Sequence, residues 1–171
     1  MSSGSEHAKA SVAAAIALVP IVGLPFGLSA AMGAAGGCLL GIALSPDLDQ
    51  EGLNKFENKL VKYTLGLGFL WVMVWYPYAR FIPHRGWASH APVIGTLGRL
   101  VYLVAVLGVV LGLSNLRADY LLFVQTALEW LPQIVWVVAG LMVSDILHWW
   151  MDGCPLPEFF SPRGRGKKGT W

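Results

Sequence analysis

Apolar and polar positions divide this chain into long uncharged runs separated by short charged stretches. Residues 10–46 contain no charged side chain. A single helix over roughly 35 residues would be about 52 Å long, against a hydrocarbon core of about 30 Å. The run therefore predicts two helices, 8–22 and 28–45, folded back at Pro20, Gly23, Pro25 and Gly27. In the second of them Gly33, Gly36, Gly37 and Gly41 recur at three- and four-residue spacing. Small residues at that spacing let helices approach closely in lipid, so the glycines read as packing positions. Residues 50–62 are polar, with Phe56, Leu60 and Val61 on one side, the pattern of an amphipathic interfacial helix.

The stretch 64–83 is apolar but broken by Gly66, Gly68, Pro77 and Pro83, and it is rich in Trp71, Trp75, Tyr76 and Tyr78. It reads either as a span or as an interfacial or re-entrant piece, since Trp and Tyr concentrate at headgroup level. Ser89 is placed to cap a span over 90–113 whose first turn tolerates Pro92. A polar turn at 115–119 and a helical lead-in at 120–131 follow. The last span, 132–152, opens at Pro132 and stops at Gly153 and Pro155. The expected fold class is all-α: an integral membrane helical bundle of about four transmembrane helices plus an interfacial helical segment. A single membrane-embedded domain covers 1–160, and a basic tail covers 161–171.

Composition supports the membrane reading. Hydrophobic residues make up 56% of the 171 and charged ones only 13%, well below a soluble domain. The first apolar run is too long for the h-region of a signal peptide. Cys38 and Cys154 form no disulfide framework; Cys38 reads as helix packing, and Cys154, close to Asp152, is a weak ligand candidate. The net charge of +2 gives no sign of a nucleic-acid partner, but its distribution sets the topology. If 64–82 spans, the Lys and Arg residues split five against seven. If it does not, all but Arg117 of the 12 fall on one side, eleven against one. The positive-inside rule selects the second arrangement, with four spans in an inner or plasma membrane and both termini cytoplasmic.

That arrangement also gathers the candidate chemistry at one membrane face. Asp145, His148 and Asp152 are spaced i, i+3, i+7 and share a helical stripe. Burying them in an apolar helix is costly unless they pair or hold a cation. His7, Asp47, Asp49, His84 and His90 fall at the same face, so all four histidines of the chain are included. Each has a plainer reading: a solvated terminal histidine, acids at a helix-end turn, interfacial imidazoles. Together they read as metal ligands: His7, Asp47, Asp49, His84, His90, His148 and Asp152. Asp145 is either a further ligand or the acceptor that orients His148, and Arg85 either binds an anionic group such as phosphate or anchors at the membrane surface. This ligand count exceeds one zinc site and fits one to three divalent ions, zinc first, with manganese or iron open.

His7, Pro46-Asp47-Leu48-Asp49, His84-Arg85-Gly86-Trp87-Ala88-Ser89-His90 and His148 through Asp152, in that order, resemble a family of membrane metal-binding proteins of unknown function. The family is similar to bacterial inner-membrane proteins assigned as metal-dependent hydrolases, distantly like the zinc-dependent phospholipase C and nuclease fold. The resemblance runs from His7 to Asp152. It implies a helical bundle with a metal site at its cytoplasmic end. Two functions stay open on this reading. One is a hydrolase acting on phosphate esters, membrane lipid headgroups included, with Arg85 and Asp145 assisting. The other is a non-catalytic metal-binding or scaffold protein. Oligomeric state is open as well.

Overall fold

The structure, a computed structural model, describes residues 4–49, 53–64, 66–82, 87–113 and 117–153, and the regular elements among them are all helical. In chain order they are α1 (Gly4–Phe26), α2 (Leu28–Leu40), a 3₁₀ turn (Pro46–Asp49), α3 (Lys55–Tyr63), α4 (Gly68–Phe81), α5 (Trp87–His90), α6 (Ile94–Leu113), α7 (Arg117–Glu129) and α8 (Leu131–Met151).

The fold-back in the first apolar run comes later than the prolines suggest. Pro20 and Pro25 both lie inside α1. The chain reverses at Gly27, which takes φ 86°, a left-handed conformation open to glycine without steric cost. Pro20 and Pro25 each remove one backbone donor, which an apolar helix tolerates when its neighbours re-satisfy the freed groups. α1 is therefore 23 residues long rather than the expected 15 or so, and α2 only 13. At 1.5 Å per residue α2 reaches about 20 Å, and turns at 41–44 carry the chain on to Pro46.

Three helices, α1, α6 and α8, are long and apolar enough to cross a membrane. α4, with 14 residues, falls short of that length, as does α2. α3 begins with a capping box: Asn54 accepts from the Glu57 amide at 2.9 Å, and Glu57 accepts from the Asn54 amide at 3.0 Å. That box starts the helix at Lys55 instead of at 50.

α1, α2 and α8 form the tightest part of the molecule. Moving up α2, Gly33 meets Trp136, Gly37 meets Val137, and Gly41 meets Ser144, so α2 and α8 run parallel. α1 runs against both, because Ser11 hydrogen-bonds Ser144 at 2.9 Å and His7 stacks on His148. The seam holds Ala30, Ala31, Ala34, Ala35 and Cys38, all buried. Its closeness depends on two glycines. A Cβ on Gly37 would sit 1.9 Å from the Val137 carbonyl oxygen, and one on Gly140 would sit 1.9 Å from the Ala34 oxygen. Backbone therefore lies directly on backbone, as small residues permit in apolar surroundings.

A second, aromatic cluster fixes α4. Trp75, Tyr78 and Leu48 are buried together, flanked by Trp71, Val74, Tyr102 and Leu103, and the Tyr102 hydroxyl donates to the Val74 carbonyl. This cluster holds the 3₁₀ turn between α4 and α6. The consequence for the site is directional: the start of α1, the 3₁₀ turn after α2, the α5–α6 junction and the end of α8 all meet at one end of the bundle.

Candidate metal centre

α8 supplies His148 from its last turn and Asp152 as its C-cap, and Gly153, at φ 85°, turns the chain away directly behind them. α1 supplies His7 from its first turn, brought there by its antiparallel run. The 3₁₀ turn supplies Asp47, and α5 supplies His90. Two triads result: His7, His148 and Asp152, and Asp47, His90 and His148. Within each triad, one ligand atom per residue lies within 4.8 Å of the others. His148 belongs to both.

The contacts within the cluster show how it is wired. The Asp152 carboxylate lies across two imidazoles, with Oδ1 3.3 Å from His7 Nε2 and Oδ2 3.4 Å from His148 Nε2. Those two rings stack face to face, centroids 3.8 Å apart and planes 12° from parallel. Asp47 Oδ1 lies 3.8 Å from the same His148 Nε2. His148 Nε2 is buried and makes no hydrogen bond. A buried nitrogen that has carboxylate oxygens at 3.4 and 3.8 Å and hydrogen-bonds neither is a donor atom suited to a cation. The donor chemistry agrees, since mixed imidazole and carboxylate sets suit zinc, manganese or iron.

Asp49 stands one step back. Its side chain is fully buried, Oδ2 lies 3.2 Å from His90 Nδ1, and it is in neither triad. An imidazole engaged at Nδ1 presents Nε2 to the site, the usual carboxylate–histidine–metal arrangement. Ser89 Oγ lies 3.1 Å from the same Nδ1. Asp47 is the most open acid of the group at 28% side-chain exposure, so the cluster meets the surface on that side.

Asp145 is placed differently from the sequence expectation. Its carboxylate takes hydrogen bonds from Arg99 and Thr96 of α6, on Oδ2, rather than reaching the His148 ring. The stripe spacing within α8 put Asp145 beside His148, but an arginine from another helix takes the carboxylate. His84 and Arg85 lie outside the described residues, as do Cys154 and the basic tail. Tyr78 packs behind the cluster, where burial pushes its hydroxyl up to about 12; Arg99 pulls it down, while Asp49 and Asp145 push it up. It stays a neutral phenol, an aromatic floor rather than an anionic ligand.

Arg99 and Thr96 are the site neighbours that the spacing of motifs did not bring out. The signal existed in a cruder form. Arg99 is the lone charge in the apolar stretch 90–113, and an ionisable residue in such a helix calls for a partner.

Residues 2–157 match the model of a family described as "Uncharacterized metal-binding protein (DUF2227)", and the chain belongs to that family. No curated protein and no solved structure matches it.

Proposed function

We propose that this member of a metal-binding family is an integral membrane protein that hydrolyses phosphate esters, lipid headgroups among them, at a metal centre on its cytoplasmic face. The observation that carries the reading is the pair of triads sharing His148, with its buried Nε2 making no hydrogen bond. The two triads gather His7, Asp47, His90, His148 and Asp152, more donors than one tetrahedral zinc uses. His148 Nε2 has a single lone pair and would serve one ion, so a second ion would be held by the donors that the first leaves free. A divalent ion held there supplies Lewis acidity toward a phosphoryl oxygen and an activated water. The residues do the rest. His7, His148 and Asp152 hold one end of the cluster, Asp47 and His90 hold the other, and Asp49 keeps the His90 ring turned toward the site. Asp47 leaves the solvent-facing side open for a substrate, with Arg85 the candidate to bind its phosphate.

The bilayer placement is supported by α1, α6 and α8 and by outward-facing apolar side chains such as Ile16, Leu24, Val101 and Val104. The charge bias supports a cytoplasmic site. Arg99 is buried against Asp145 and drops out of that count, which becomes ten against one with no change of sign. Single cysteines placed at Asn58 and Gly166 are expected to react with an impermeant thiol reagent from the cytoplasmic side, and one at Asn115 from the opposite side. Opposite sides for Asn58 and Gly166 would break the topology.

Activity is tested with a panel of phospholipids and nucleotide esters presented to metal-loaded protein in detergent. Turnover of at least one phosphate ester is expected, with a loss of about a hundredfold or more in His90→Ala. A protein that holds its metal in full yet turns over none of the panel is instead the non-catalytic binding or scaffold protein.

A further inference from the structure

Arg99 joins three elements with one side chain. It lies in α6 and is 1% exposed. Nη2 donates to the Asp145 carboxylate of α8, and Nη1 donates to the Ser89 carbonyl of α5 at 2.9 Å. Charge balance requires only the first of these bonds. The second reaches the backbone one residue before the candidate ligand His90.

The backbone there needs holding. Residues 91–93 connect α5 to α6, and Val93 takes φ 70°. A β-branched side chain in the left-handed region is an outlier that persists only where its surroundings enforce it. Pro92 contributes by disfavouring helix at Ala91, so α6 starts at Ile94 and not at 90 as the sequence suggests. The Ser89 carbonyl is also pressed onto α6, since a Cβ on Gly95 would lie 2.3 Å from its oxygen.

We infer that Arg99 is a positioning residue of the metal centre: its two guanidinium arms tie the strained His90 turn to Asp145, and so set His90 against His148. Asp145 sits three residues before His148 on α8, so the same clamp fixes the spacing between the two imidazoles, whose centroids lie 6.1 Å apart. The forked guanidinium matters, because a lysine ammonium is a single point of charge and does not span both partners in this geometry. The inference rests on the metal-centre reading.

The test is Arg99→Lys, which keeps an ion pair with Asp145 and gives up the grip on Ser89. Apo protein is titrated with Co²⁺, following both affinity and the visible absorption bands, and thermal unfolding is recorded alongside. The expected result is a 10–100-fold loss of cobalt affinity with bands altered toward those of His90→Ala. Apo protein still unfolds cooperatively, its melting temperature lowered by no more than the loss of one buried hydrogen bond accounts for. Adding Val93→Gly, which adopts φ 70° without strain, is expected to recover at least a third of the lost affinity on a logarithmic scale. A helix-bridging ion pair with no positioning role predicts no such rescue. Should Arg99→Lys fail to fold, Asp145→Asn keeps an amide oxygen for Nη2 and carries the expectation at about tenfold. Wild-type affinity and bands in these variants, or a loss that Val93→Gly leaves untouched, overturns the clamp alone. Wild-type protein that binds no cobalt overturns the metal-centre reading, and the clamp with it.

Discussion

His148→Ala protein is expected to purify without stoichiometric metal, whereas Asp49→Asn retains it with a 10–100-fold weaker affinity. The difference follows from position. His148 belongs to both triads, and its Nε2 is the atom that Asp47 and Asp152 both approach, at 3.8 and 3.4 Å. Removing it takes a donor from every set the cluster can form and leaves two carboxylates facing a void. Asp49 touches the cluster through His90 Nδ1, at 3.2 Å, so its loss frees a ring to turn without deleting a ligand. Thermal unfolding gives a second readout. At a thousandfold excess over Kd, a ligand bound only by the folded state adds about 4 kcal/mol, which in a chain of this size raises Tm by roughly 8–16 °C. The wild type should show that rise on metal addition, Asp49→Asn a reduced one, and His148→Ala none. Full metal occupancy in His148→Ala would mean that the metal is held without the residue common to both triads, and would overturn this account of the site.

The pattern of hydrophobic runs was sufficient for the helical class, the long apolar helices and the position of His7, Asp47, Asp49, His90, His148 and Asp152 near element ends. Those features are local: run length, a Gly after a helix, Pro132 at the start of α8. Element boundaries at prolines were less legible. Pro25 and Pro92 look alike in sequence, yet one lies within α1 and the other lies between α5 and α6. What separates them is the turn after Pro92, where Val93 takes φ 70° and Arg99 holds the Ser89 carbonyl at the end of α5. That contact is ten residues distant and has no periodic signature.

Asp145 shows the same limit for the site. Stripe geometry on α8 groups it with His148 and Asp152, and that grouping is correct as far as a single helix goes. Which partner a buried carboxylate takes depends on the helix packed opposite, and α6 presents both Thr96 and Arg99 to it. Position along the chain puts Arg99 among the eleven Lys and Arg on one side, but its burial against Asp145 takes it out of that set. Two lone charges of opposite sign in separate apolar helices were the available clue, since neither is tolerable there alone.

Widening the α2–α8 seam is expected to disturb the metal centre from a distance. Gly37→Ala places a methyl 1.9 Å from the Val137 oxygen, and the neighbour is backbone, so no side-chain rotation relieves the overlap. The helices must separate. Overpacking of this kind costs about 1–3 kcal/mol, and the helix propensity gained over glycine, about 1 kcal/mol, does not offset a backbone collision. Gly140→Ala meets the Ala34 oxygen in the same way. Because one separation of α2 from α8 relieves both clashes, the double variant should be destabilised by less than the sum of the singles. Metal affinity should fall with each variant, since Asp47 follows α2 and His148 ends α8, and the seam sets the distance between them. Gly36→Ala, where an added Cβ meets nothing within 4 Å, is the matched control and should leave both quantities unchanged or slightly raise stability. Additive losses would mean that the two contacts yield independently. Affinity unchanged in Gly37→Ala while Tm falls would mean that the site is carried by α1 and α8 without α2.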